Sequence, residues 1–422
     1  MPSVCLAAMS ELNEMPRRFP GMDGFRALAA LAIVAFHAYL ATGWATATSP
    51  TDPAFVAGMP DVVHGAFRNL TLRTNVFFVL SGLLLALPFV RWMLIPDASR
   101  PGVRRFAVRR FRRIWPLYML VMLVAAATVS INQTSVEQVV VNALLVQNLA
   151  PGGVHLLPVT WTLTVELGFY LLLPLAMLGL APIVRRLPSL AVRAGLLMSV
   201  PVAGIVVGCL VRRSPELSVA GLEPRVTALG YLDNFGAGIF AAIVLVAAFS
   251  GSGRLAARVR GMSPLVWTVL GTVLVAIGLR ARWDGLDGGR VTTTWWWVTP
   301  VAFGVACWML AVALRPDRSL LARVVGAPAL LAIGRISYGI FLWHYVVLHW
   351  MSVAGVTRAG GLGAVTANTA IALALTFPLA WASWHLIEEP VLDGRIRLPR
   401  PHVPRGLLQL GVAHPRPGEV AP

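Results

Sequence analysis

An imidazole inside an apolar run is costly to bury, and His37 lies in such a run, eleven residues after Arg26 in a segment that opens Met22-Asp-Gly-Phe-Arg-Ala. Eleven helical steps of about 100° return to nearly the same face, so Arg26 at one end and His37 about 16 Å deeper share a stripe. A neutral imidazole in a low-dielectric pocket can take the proton from a hydroxyl as that hydroxyl attacks a carbonyl, which makes His37 a candidate general base. The alternative is a histidine that only hydrogen-bonds a neighbouring helix. A second expensive group is Glu166, at the end of Trp161-Thr-Leu-Thr-Val-Glu and about two turns below the outer surface. A charged side chain near the centre of a bilayer costs roughly 2.5 to 3.5 kcal/mol, so such a group needs a partner. Glu166 could orient and charge-stabilise His37, act as a base itself, hydrogen-bond an acceptor, or simply anchor one helix to another.

Seven arginines fall between Arg100 and Arg113. Topology and anionic lipid headgroups account for Arg104, Arg105 and Arg112. Arg110 and Arg113 are different: one helical turn apart and abutting an apolar span, both can point at one cytoplasmic mouth, where the phosphates of a CoA donor would find bidentate partners. Further on, Gly334-Arg-Ile-Ser-Tyr338 precedes Leu342-Trp-His344, which sets His344 near mid-membrane. The segment Trp384-His-Leu-Ile-Glu388-Glu-Pro390 closes the last apolar run and reads as a helix end. Tyr338, His344 and Glu388 can pack and cap as well as do chemistry. The three cysteines show no metal-ligand spacing and no ligand cluster appears, so neither a metal nor a bound cofactor is expected.

These residues must be held by membrane helices. The chain of 422 residues is 57% hydrophobic and only 13% charged, far from soluble norms. Apolar runs read as helices at about 27 to 45, 76 to 95, 114 to 131, 161 to 181, 190 to 211, 228 to 249, 264 to 280, 294 to 314, 332 to 354 and 363 to 387. The expected fold is therefore an all-α polytopic transmembrane bundle of about ten helices. The apolar stretch from Val139 to Leu149 is too short to span and is expected to be re-entrant, interfacial or part of an outer loop. The formal charge of +17 would suggest nucleic acid on a soluble fold, but here the basic residues lie between apolar spans and report topology instead. All 35 are arginine, and most fall on the inner side if both termini are cytoplasmic. Residues 1–20 then form a cytoplasmic N-terminal tail without a cleavable export signal, 21–390 one transmembrane domain, and 391–422 a proline-rich cytoplasmic tail without fixed structure.

Taken in order, these segments resemble those of the bacterial integral-membrane O-acyltransferases of the acyltransferase 3 family. Asp23-Gly-Phe-Arg26, with ten residues before His37, is similar to the family's Asp-Gly-hydrophobic-Arg opening and its Arg-x10-His motif. Phe77-Phe-Val-Leu-Ser81-Gly82 resembles Phe-Phe-x-x-Ser-Gly, and Arg110-x-x-Arg113-Ile-x-Pro116-x-Tyr118 the Arg-x-x-Arg motif. Trp161 to Glu166 resembles Trp-Ser-Leu-x-x-Glu, and Ile336-Ser-Tyr338 through His344 the Ser-Tyr-x-x-Tyr-Leu-x-His stretch. Departures are Asn75 where Asp is common, Ala27 after Arg26 where Gly is usual, Thr162 and Thr164 for serines, and Phe341 for a tyrosine.

The resemblance implies an enzyme that takes an acyl group from cytoplasmic acyl-CoA, as co-substrate, and esterifies a carbohydrate or other hydroxyl acceptor. It implies His37 as catalytic base, with Glu166 beside it, and Arg26, Arg110 and Arg113 in activity or donor handling. Asp23, Ser81, Tyr338 and His344 are the further motif positions expected at the substrate sites. The expected partners are acyl-CoA, the hydroxyl acceptor and membrane lipid, with no nucleic acid, in the bacterial cytoplasmic membrane. A polytopic transporter or flippase, in which His37, Glu166 and Asp233 mark a proton or substrate path, is the reading from another class.

Overall fold

The computed structural model describes residues 19, 21–44, 60–70, 72–129, 135–149, 155–214, 226–250, 254–287, 296–316 and 319–396. The N-terminal tail expected over 1–20 and the C-terminal tail expected from 391 lie almost wholly outside the described residues. Every regular element among them is helical. The principal helices are α1 (Gly21–Trp44), α2 (Leu72–Leu94), α3 (Val103–Thr128), α4 (Trp161–Val184), α5 (Ser199–Arg213), α6 (Leu232–Ser250), α7 (Pro264–Asp287), α8 (Val298–Leu314), α9 (Pro328–Arg335), α10 (Ser337–Val353) and α11 (Gly361–Ser383).

Among the described residues, eight helices are long and apolar enough to cross a membrane, and α9 with α10 makes a ninth, bent by 69°. Helix α8, at 17 residues, reaches the lower limit of a spanning length. The protein is thus a multi-pass integral membrane protein of about ten crossings. Helix α6 is buried nearly all round and forms the hub, flanked by α2, α5 and α8. Its contact with α2 is backbone to backbone. A Cβ at Gly82 would collide with the Phe235 carbonyl, and one at Gly238 with the Val79 carbonyl, so small residues let these two helices approach closely where no water-driven force would hold them. Leu171 and Leu175 of α4, Leu265 and Val269 of α7 and Leu375 and Trp381 of α11 are exposed, the expected dress of lipid-facing surfaces.

Local structure adds detail to the sequence reading at three places. The arginine run ahead of the apolar stretch at 114 to 131 is itself helical. It is the first half of α3, because Val103 to Trp115 holds no Gly or Pro and arginine is a good helix former. The ninth span is broken at Ile336, where the Ser337 hydroxyl donates to the Gly334 carbonyl at 2.8 Å and Gly334 packs against the Asp23 backbone. The stretch from Val139 to Leu149 belongs to a short helix, Val136–Ala143, capped reciprocally by Ser135 and Gln138, followed by a single 3-10 turn. Its Asn142 carbonyl accepts from the Tyr118 hydroxyl at 2.6 Å, which pins it to α3.

Candidate active site

Helices α1, α2, α3, α4 and α10 enclose a cavity of about 110 Å³. Three guanidinium groups, Arg26, Arg110 and Arg113, line it, while Arg104 and Arg105 on the same helix as the latter two are exposed. The helical register of α3 separates them: Arg110 and Arg113 are three apart on the inward stripe that continues through Ile114, Leu117, Tyr118 and Val121. Ser81, Glu166 and Tyr170 form a polar wall. Ile33, Phe77 and Phe341 form an apolar end, with the two phenylalanine rings 6.4 Å apart.

The Glu166 carboxylate accepts hydrogen bonds from the Ser81 hydroxyl at 3.0 Å and the Tyr170 hydroxyl at 2.6 Å, and Arg110 and Arg26 are its cationic neighbours. Its partner is therefore on the cavity wall and not His37. Tyr170, one turn along α4, belongs to this cluster and escaped the sequence reading, although its i, i+4 spacing from Glu166 was visible. Arg26 is paired with Asp23 at 2.8 Å, both partly exposed. Arg113 donates to Glu388 at 2.9 Å and lies 5.7 Å from the Tyr338 ring and 5.6 Å from the Trp384 ring. The Tyr338 hydroxyl itself donates to the Ile114 carbonyl at 2.9 Å, fastening the start of α10 to α3.

Glu388 reads in the sequence as a helix end, yet it is 3% exposed. The buried stripe of α11 runs Ala372, Thr376, Ala380, Ser383 and by α-helical spacing would next reach Ile387. A π-helical turn over Trp384–Glu388 intervenes. Its extra residue moves the inward position from Ile387 to Glu388, which delivers a carboxylate to Arg113.

His37 stands farther along α1 than Arg26 and is half-buried. It faces His344 of α10, with His344 Nε2 and His37 Nδ1 3.0 Å apart and ring centroids 5.0 Å apart. His37 Nδ1 is also 3.0 Å from the Ile33 carbonyl, and His344 Nδ1 is 3.1 Å from the Ile340 carbonyl. Phe36 and Tyr345 flank the His37 ring edge-on at 5.2 and 6.0 Å. The cavity reaches Ile33 and Phe341, about one helical turn short of this pair, and neither histidine lines it.

Two other buried cations have different settings. Arg212 donates to both oxygens of Asp233, at 3.0 and 2.7 Å, and to the Gly230 carbonyl, while Asp233 also accepts from Thr299 at 2.6 Å and from the backbone and side chain of Asn234. Asn75 then donates to Asn234 at 2.7 Å. This network ties α5, α6, α8 and α2 together at a fully buried carboxylate. Arg73 is 6% exposed and lies 3.9 Å over the Phe36 ring, with Nε and Nη1 buried and without a hydrogen-bond partner among the described residues.

Of the residues expected at a substrate site, the cavity gathers Arg26, Ser81, Arg110, Arg113, Glu166 and Tyr338; Asp23 adjoins it through Arg26, and His37 and His344 form the separate imidazole pair. A family profile described as an acyltransferase domain matches residues 19–385, nearly the whole chain and every motif above. The chain belongs to the acyltransferase 3 family. No curated protein and no solved structure matches it. Membership makes this protein a membrane acyltransferase, an enzyme that moves acyl groups from a donor to an acceptor. The acyltransferase keeps its three inward arginines in one vestibule, and its imidazole pair stands apart from it, past the end lined by Phe77 and Phe341.

Proposed function

We propose that this acyltransferase moves an acetyl or other short acyl group from cytoplasmic acyl-CoA to a hydroxyl of a carbohydrate, on a cell-surface glycan, glycolipid or glycosylated metabolite, with His37 as general base. The site of action in this reading is the bacterial cytoplasmic membrane. The observation that carries it is the disposition of α1: one helix presents Arg26 to an arginine-lined vestibule and His37 to the bundle interior beyond it. Arg110 and Arg113, with Arg26, provide fork-shaped donors for the phosphates of CoA. The pantetheine arm would pass between Phe77 and Phe341, whose side chains must swing aside to admit the thioester.

At the imidazole, His37 Nε2 takes the proton as the acceptor oxygen bonds to the thioester carbonyl carbon. The tetrahedral intermediate then collapses with cleavage of the C–S bond, the CoA sulfur leaves, and the proton passes from His37 to that sulfur. The products are an ester and free CoA, and the histidine returns to its neutral state. Glu166, held by Ser81 and Tyr170, is a negative group in the vestibule near Arg110, suited to orienting the arginines or the donor.

Two experiments test this. Purified protein in nanodiscs should turn over acetyl-CoA in the presence of an extract containing the acceptor, and His37→Ala should abolish transfer while leaving the melting profile in place. Mass spectrometry of glycans and small metabolites from deletion and parent cells should show one species lighter by one acyl group in the deletion strain. Undiminished transfer by His37→Ala would remove the imidazole from the mechanism.

A further inference from the structure

Each Nδ1 of the imidazole pair faces a backbone carbonyl. The Ile340 carbonyl can only accept, so the atom 3.1 Å from it, His344 Nδ1, carries a proton. A neutral His344 then has its lone pair on Nε2, and that lone pair points at His37 Nδ1 at 3.0 Å. His37 Nδ1 in turn faces two acceptors, the Ile33 carbonyl at 3.0 Å and His344 Nε2, so the His37 proton must also sit on Nδ1. The lone pair of His37 is left on Nε2, which takes no hydrogen bond from any described residue. Two carbonyls on two different helices thus dictate both tautomers.

We propose that His344 is a positioning residue for the acyl transfer: a neutral acceptor that fixes His37 as the Nδ1–H tautomer, holds its ring orientation, and stabilises the imidazolium formed when Nε2 takes the acceptor proton. The role is the one a carboxylate fills in a hydrolase triad, performed by an uncharged ring whose own tautomer is locked by Ile340. A neutral partner suits a membrane interior, where a second buried carboxylate would carry the cost of a lone charge before each turnover. It also explains why Glu166 is engaged elsewhere, by Ser81 and Tyr170. This proposal rests on the reading of His37 as base.

Asparagine and glutamine separate the two ends of the His344 ring. An asparagine amide reaches about as far as Nδ1, so His344→Asn can keep the bond to the Ile340 carbonyl and loses the acceptor for His37. His344→Gln carries its amide oxygen to about the place of Nε2 and can accept from His37. The assay uses the full-length protein in membranes of the producing cells, which supply the native acceptor, with radiolabelled acetyl-CoA and alkali-labile label as the product. Expected are a turnover for His344→Asn reduced roughly 10- to 100-fold, as when an orienting partner is removed, an unchanged KM for acetyl-CoA, and recovery of most of that loss in His344→Gln. Wild-type turnover in His344→Asn, or equal loss in both variants, overturns the proposal. Loss of fold in both, read from their melting profiles, assigns His344 to packing and overturns it as well. His37→Ala in the same assay keeps the two readings apart: retained transfer there refutes the base, whereas an inactive His37→Ala beside a fully active His344→Asn refutes only the positioning role.

Discussion

Replacing Asp233 by alanine tests whether this membrane carboxylate is an anchor or part of a transport path. Its two oxygens receive both terminal nitrogens of Arg212, the Thr299 hydroxyl, and the backbone and side chain of Asn234, and it is 0% exposed. The Arg212 side chain is itself only 10% exposed. Alanine removes the anion and leaves a guanidinium enclosed with the Gly230 carbonyl and Thr299, and breaking a buried pair from one side costs about 3–5 kcal/mol. At roughly 2 °C per kcal/mol, the lower end for a large domain, the melting midpoint should fall by about 6–10 °C. Removing both charges as Arg212→Met with Asp233→Leu should cost less than either single change, since neither charge is then stranded. The assay is thermal unfolding of detergent-purified protein by tryptophan fluorescence, paired with acetyl transfer per folded molecule. The anchor predicts a destabilised single variant, a largely recovered double variant, and near-normal transfer by what remains folded. Additive losses in the double variant, or a stable Asp233→Ala protein without activity, would refute the reasoning.

Arg113→Ala should strand the buried Glu388 and lower the melting midpoint; adding Glu388→Gln should restore stability but not acyl transfer, and a fully active double variant would remove Arg113 from donor handling. Gly238→Val should cost at least about 1–3 kcal/mol by forcing α6 off the α2 backbone, seen as loss of monodisperse protein on size exclusion, while an unchanged melting midpoint would contradict that contact. Phe341→Ala should widen the passage between vestibule and imidazoles and raise the ratio of octanoyl- to acetyl-CoA use by about tenfold or more; an unaltered ratio would place the acyl route elsewhere. Arg73→Met should raise the melting midpoint, because it removes a buried guanidinium that has no carboxylate partner among the described residues, at a place where an apolar side chain of similar length can lie on Phe36; a lower midpoint would show that the charge is compensated.

The span pattern was legible because hydrophobic length and arginine placement are properties of continuous segments. Arg110 and Arg113 could be told from Arg104 and Arg105 because they stand one helical turn apart and abut the apolar span. What the sequence could not show was pairing between distant segments. Glu166 was weighed as the partner of His37, since acid and imidazole are a familiar couple, but proximity across helices decides the matter, and His344, 307 positions away, takes that place. Arg212 drew no notice beside Asp233 for the same reason: it ends one span while the carboxylate opens the next. Glu388 was hidden differently, since its inward direction depends on a helical irregularity that no propensity signals.

The wide turn between Trp384 and Glu388 makes the number of residues in that segment a property under constraint, separately from their identities. Leu386 faces outward and is 71% exposed, so another apolar side chain there would meet the same lipid. Deleting one of these positions would let the helix relax to its ordinary pitch with Glu388 four residues past Ser383 and still facing inward, whereas inserting one would bring Ile387 to the inward position and rotate all that follows by about 100°. After such an insertion an apolar side chain would face Arg113, and the guanidinium that lines the vestibule would lose its counter-ion through a frame error in three dimensions.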